Sequence, residues 1–233
     1  SFKNDNEKKF QMKYFQDSLI QFRVSFIIVI FLYGVFGFLD TMLAKEYIPS
    51  FHIIRYAVVI PFFLFTLVFS FHKNFSKIWQ YLLFLCFIIG GAGIAIMTLL
   101  LPENYEYYAG LMLVFSAGYF FIKLRFTLAS IAGWLTLLFF NIGAFSFSRI
   151  EPIMILFNNF FFISANIIGM FAAYYIEYYT RRDFFMNQQI DHRNAEILES
   201  NLSLETKVAE RTRELIIAKE KAEEREKEFK QII

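Results

Sequence analysis

The chain has 233 residues, of which 57% are hydrophobic, 21% aromatic and 19% charged, with a net charge of +2. Residues 24–180 are nearly devoid of charge while both flanks are rich in it, which describes a polytopic membrane protein with a charged extension. The small net charge gives no argument for a nucleic-acid partner, and a lone cysteine, Cys86, excludes an internal disulfide.

Residues 1–22 mix Lys8, Lys9 and Lys13 with Phe10, Tyr14, Phe15, Leu19, Ile20 and Phe22. That pattern suits a short amphipathic helix at the inner interface, or else a solvated tail. Six apolar runs follow at 24–43, 53–71, 78–101, 107–122, 127–148 and 154–180, each near the ~20 residues a helix needs to cross hydrocarbon. The charged start leads into a full-length apolar segment, so the first span is expected to stay as an anchor. The amino-terminal tail, the loop with Lys73 and Lys77, the turn with Lys123 and Arg125, and the pair Arg181/Arg182 are basic, whereas the alternate loops carry Lys45, no basic residue, and Arg149. The positive-inside rule therefore places both termini in the cytosol. The opposite loops are short and acidic, with Glu46, Glu103, Glu106 and Glu151, so any sensing is expected inside the bundle or at its outer mouth. The expected division is a cytosolic amphipathic segment at 1–22, a six-transmembrane-helix domain at 23–182 and a cytosolic coiled coil at 183–233.

Polar residues within apolar runs are expensive and therefore informative. Asp40, Thr41, Arg55, Thr98, Tyr107, Tyr108, Asn141, Asn158 and Asn159 all fall in the outer half under this orientation, which suggests an outward-opening polar pocket for a small or lipid-like ligand. Asp40 ends the first span and Arg55 begins the second. They are placed to form an ion pair, to snorkel toward headgroups, or to offer Arg55 to an anionic group such as a fatty-acid carboxylate. Asn166, near mid-membrane, suits helix–helix contact, and Glu177 lies one turn from Arg181. His52 and Glu46, with Glu103 or Glu106, are metal-ligand types at the outer mouth, but nothing in their spacing requires a metal, and no cofactor is expected. Ala165, Gly169 and Ala173 recur every fourth residue on the sixth span, and Gly90, Gly91 and Gly93 cluster in the third, as close helix packing requires. The sixth-span face suits either a dimer axis or packing within one chain.

No glycine or proline interrupts the passage from the sixth apolar run into the charged tail. Read as helix from Leu156 to Ile233, this stretch reaches about 115 Å, far beyond one bilayer crossing. Its polar half repeats in heptads. Ile190, Ile197, Leu204, Arg211, Ala218, Arg225 and Ile232 occupy d, and Asn194, Asn201, Val208, Leu215, Ala222 and Phe229 occupy a. This 3-4 spacing predicts a parallel two-stranded coiled coil, with Asn194 and Asn201 setting register and Arg211 and Arg225 keeping the seam weak. A solvated helix packed on another domain of its own chain is the alternative.

The run LETKVAERTRELIIAKEKA at 204–222 closely resembles the signalling helix that precedes the catalytic core, or a PAS domain, in many bacterial sensor histidine kinases. The residues EREKEFKQII that follow look like the lead-in to a PAS domain. The membrane part resembles the six-span anchor of bacterial class III adenylate/guanylate cyclases and of some histidine kinases. The matching pieces are FGFLD at 36–40, Arg55-Tyr56, YYAGLMLV at 107–114, LRF at 124–126, NFFF at 159–162 and IEYYTRRDFF at 176–185. The resemblance implies a homodimeric, receptor-like anchor in the bacterial inner membrane and favours a histidine kinase over a cyclase or diguanylate cyclase.

There is no glycine-rich phosphate loop, nucleophile elbow or paired cytosolic carboxylates, and His192, in the context Asp-His-Arg-Asn, lacks the acidic residue that usually follows a phosphoacceptor histidine. These residues do not read as an enzyme. A transporter or structural membrane protein is the remaining alternative, against which stand the lack of broken helices, inverted repeats and a charged pathway. The expected fold is all-α: a six-helix membrane bundle continuing into a long parallel coiled coil.

Overall fold

The computed structural model describes residues 4–43, 45–101, 105–147 and 150–232, with backbone alone at 4, 5, 43, 45, 105, 106, 224 and 226–232. Glu103 and Arg149, and the side chains of Lys45, Glu106, Phe229 and Ile232, lie outside the described residues. Six helices carry the six apolar runs, and no strand occurs among the described residues. They are α1 (Asn4–Leu43), α2 (Ile48–Phe69), α3 (Phe75–Leu100), α4 (Ala109–Phe121), α5 (Phe126–Ser146) and α6 (Pro152–Ile232). The fold is all-α. The chain divides into two units, Ser1–Arg181 and Arg182–Ile233.

Residues 4–22 are not a helix of their own. They run unbroken into the first apolar run as the early turns of α1, and their apolar face is buried, with Phe10, Tyr14 and Phe22 nearly inaccessible. Phe15 stacks edge-on against Trp79 of α3, and Phe22 lies 5.6 Å from Phe75. One side of this amphipathic stretch thus finds partners within the protein, while Met12 and Ile20 stay exposed.

The fourth run differs from expectation. Helix α4 is an apolar helix shorter than a full span, whereas the other five are long and apolar enough to cross a membrane. Its length, about 20 Å at ~1.5 Å per residue, falls short of the ~30 Å hydrocarbon core. A 3-10 turn, Tyr105–Tyr108, precedes it, and its last residues, Ala117–Phe121, form a π-helical turn that closes with the Ile122 N–H on Ala117 O. Two residues on, Lys123 adopts φ 57°, which ends any helix.

Close packing falls where small residues permit it. A Cβ at Gly91 would strike Thr136 of α5, and one at Gly93 would meet Tyr33 of α1 and Val59 of α2. The Gly169 face of α6 is used inside the protein: a Cβ there would enter the Tyr119 ring, and Ala173 is buried. Pro152 opens α6, where its missing N–H costs nothing.

In the unit Arg182–Ile233 the described seam positions are exposed, from 50% at Ile190 to 70% at Leu215. Ile197, Leu204 and Val208 lie between these values. Asn194, Asn201, Arg211, Ala218, Ala222 and Arg225 are likewise exposed.

Candidate functional site

Tyr33, Phe36 and Asp40 share one face of α1 at i, i+3 and i+7. Arg55 comes from a π-helical segment of α2, Ile53–Val59, which closes with the Ile60 N–H on Arg55 O. Pro61 follows directly and has no N–H to offer the preceding turn, so the wider spacing absorbs the break. Met97 of α3 and Tyr107 of the 3-10 turn complete the group.

Arg55 and Asp40 are both wholly buried. The guanidinium grips the carboxylate like a fork, Nε to Oδ2 at 3.0 Å and Nη2 to Oδ1 at 3.1 Å. Nη1 donates to Tyr33 O at 2.7 Å, and Nη2 also donates to Tyr107 Oη at 2.9 Å. Tyr107 Oη in turn donates to Asp40 Oδ1 at 2.7 Å. The Tyr33 ring faces the guanidinium at 4.9 Å. Of the five N–H donors of Arg55, one on Nε, one on Nη1 and two on Nη2 thus have oxygen acceptors. Asp40 already occupies the place that an external carboxylate would take. Beside the pair lies an apolar cavity of about 160 Å³, lined by Arg55, Tyr33, Phe36, Ile94, Gly110 and Leu113 among others.

The remaining polar residues do not join this group. Asn141 of α5 and Asn159 of α6 pair reciprocally, each Nδ2 donating to the other's Oδ1 at 2.8 Å, and each also bonds a carbonyl one turn back. Two amides that satisfy each other leave little to offer a ligand. Tyr108 stacks on Phe161 at 5.6 Å, and Asn158 is half-buried on α6. Thr41 and Thr98 bond back to Phe38 O and Ile94 O. His52 lies edge-on to Tyr56, Glu46 is exposed, and no set of three metal-ligating residues gathers among the described residues. Asn166 is wholly buried and accepts from Tyr119 Oη at 2.7 Å.

At the basic end of the bundle a second cluster joins α1, α5 and α6. Arg181 donates to Glu7 Oε2 at 2.7 Å and to Glu177 Oε1 at 2.8 Å. Arg125 reaches both carboxylates at 3.4 Å. Glu177 Oε2 accepts the Phe126 N–H at 2.9 Å, so a side chain of α6 caps the start of α5. The Arg181 hydrogen bond holds the Glu7 carboxyl below its usual range. Tyr14 Oη and Gln80 Nε2 both donate to Lys123 O and pin the left-handed turn, where burial pushes the Lys123 ammonium down.

Comparison with known families matches residues 38–191, well over half of the chain, to MASE8, a family of membrane-associated sensor domains. The chain belongs to MASE8. No curated protein matches it. The MASE8 match contains Asp40, Arg55 and Tyr107, and also Arg125, Glu177 and Arg181, whereas Tyr33 and Glu7 precede it. Those last two, with Met97 and Tyr119, are partners that spacing along the chain does not reveal. Within MASE8 terms, this is a membrane protein with a sensor domain whose two polar clusters lie at opposite ends of its helices.

Proposed function

We propose that the chain is the membrane sensor and signal-transducing region of a dimeric bacterial sensor histidine kinase, in the inner membrane with both termini cytosolic. One observation carries this reading. The helix that holds Asn159 and Asn166 among the apolar helices and Glu177 and Arg181 at their basic end is the same helix, α6, that bears the exposed apolar heptad positions from Ile190 onward. Exposed Ile190, Ile197, Leu204, Val208 and Leu215, with Asn194, Asn201 and Arg211 between them, fill the a and d positions of a 3-4 repeat that fits a second copy of itself, and a parallel pairing brings the two α6 helices together in register.

In this reading a small or lipid-like ligand, or a change in the bilayer, acts at the cavity beside Arg55 and shifts the balance between two packings of the bundle. The size of the shift is limited by the ligand's differential affinity for the two states. Tyr119 and Asn166 carry the change to α6, and the weak seam passes it on as a rotation or register change. The membrane-sensor family and the likeness of residues 204–222 to kinase signalling helices both support it.

The test is to supply the full-length protein, in membranes, with ATP labelled at the γ-phosphate and, in parallel, with ATP or GTP labelled at the α-phosphate. A kinase incorporates acid-labile label on a histidine. Release of a cyclic nucleotide or cyclic dinucleotide without labelling of the protein assigns the same sensor to a cyclase instead.

A further inference from the structure

A second cavity, of about 430 Å³, lies between the first turns of α1, the start of α3 and the connection from α4 to α5. Lys8, Lys77 and Arg125 line it together with Gln11, Trp79 and Tyr81, and its described lining holds no acidic side chain. Lys8 and Lys77 are exposed, and neither has a carboxylate partner among the described residues. Arg125 is part-exposed and held by Glu7 and Glu177 only at 3.4 Å. Lys8 and Lys77 thus add positive charge to a hollow whose third cation, Arg125, is loosely paired, which favours the entry of an anion.

The rest of the lining says which anion. Apolar Met12, Phe15 and Leu128 adjoin the cations, so one side of the hollow is suited to hydrocarbon and the other to negative charge. Trp79 and Tyr81 stand at the start of an apolar helix, the level at which such aromatics meet the headgroups. Basic hollows between membrane helices at this depth bind phosphate-bearing headgroups. We infer that this cleft binds the phosphate of an anionic phospholipid. Its phosphate neutralises Lys8 and Lys77 and competes with Glu7 and Glu177 for Arg125, so lipid composition reaches the cluster that holds Arg181 of α6. The inference stands on membrane embedding and is independent of which effector the chain serves.

The test uses the full chain with Trp134→Phe, which leaves Trp79 as the one tryptophan, in phosphatidylcholine vesicles. Either dibrominated phosphatidylglycerol or dibrominated phosphatidylcholine is added in small amount, and quenching of Trp79 is read. Selective quenching by the glycerol lipid is expected, falling about fivefold for each lysine replaced by alanine. Lys8→Arg with Lys77→Arg keeps the preference, which separates lost charge from lost fold. Equal quenching by the two lipids, or a preference that survives Lys8→Ala with Lys77→Ala, overturns the inference. Excess inorganic phosphate separates the sources against chloride at the same ionic strength. Preference that persists in phosphate assigns the site to lipid, and preference abolished by phosphate but not chloride assigns it to a free anion and overturns the lipid proposal.

Discussion

Tyr107 donates its hydroxyl to Asp40, 67 residues away in the chain, and the same oxygen accepts from Arg55. One phenol thereby ties the start of α4 to the junction of α1 and α2, and it does so at a buried charge pair. Removing that hydroxyl leaves two buried charged groups, Asp40 and Arg55, each short of one hydrogen bond. Tyr107→Phe is expected to cost ~1.5–3 kcal/mol, read as a fall in melting temperature of the purified protein. An unchanged melting temperature means that the bond contributes nothing.

Asp40→Ala leaves Arg55 buried without its anion, a loss of ~3–5 kcal/mol in comparable sites. Replacing both at once, Asp40→Leu with Arg55→Met, removes the charges together and is expected to cost less than Asp40→Ala alone. A double variant less stable than either single one contradicts the pairing.

Gly133 faces Tyr119 and Asn166 so closely that a Cβ there would enter both side chains. Gly133→Ala is therefore expected to destabilise by ~1–3 kcal/mol through overpacking, and Tyr119→Phe to recover part of that loss by withdrawing the hydroxyl. Chemical denaturation of the two variants and their combination measures the recovery. Equal costs with and without the hydroxyl argue against this contact.

The Glu7 carboxyl titrates below its ordinary value near 4.5 because Arg181 bonds to its charged form. A folded-state value below the unfolded one gives stability that is present above about 4.5 and is lost as pH falls through the lowered value. Thermal melts taken downward from neutral pH are expected to lose stability in that acid window, and Glu7→Gln to remove this part of the pH dependence. An identical acid profile in Glu7→Gln assigns the loss to other carboxylates.

Much of the fold is legible in composition because an apolar run near span length has few alternatives to helix in lipid. The Asp40–Arg55 and Glu177–Arg181 pairs are legible too, the first from a short hairpin and the second from i, i+4 spacing. Length alone misleads at α4, where hydropathy counts apolar residues but is blind to the π turn at Ala117–Phe121 and the left-handed Lys123. Depth in the membrane likewise groups Asn141 and Asn159 with Arg55, while the amides find each other 18 residues apart. Glu7 and Arg181 are separated by 174 residues, and no local pattern announces their meeting. The small-residue stripe on α6 fits two uses equally in sequence, and Tyr119 takes up Gly169 within the chain.

The most direct test of signal transfer through a paired α6 is disulfide crosslinking in native membranes. Cys86 is replaced and single cysteines are walked from Asn187 to Glu205. Crosslinking that peaks at Ile190, Asn194, Ile197 and Asn201 is the predicted result, since only a parallel pair in this register brings those positions face to face. A flat profile contradicts the paired helix, and with it the proposed transfer of a signal through a dimer of α6.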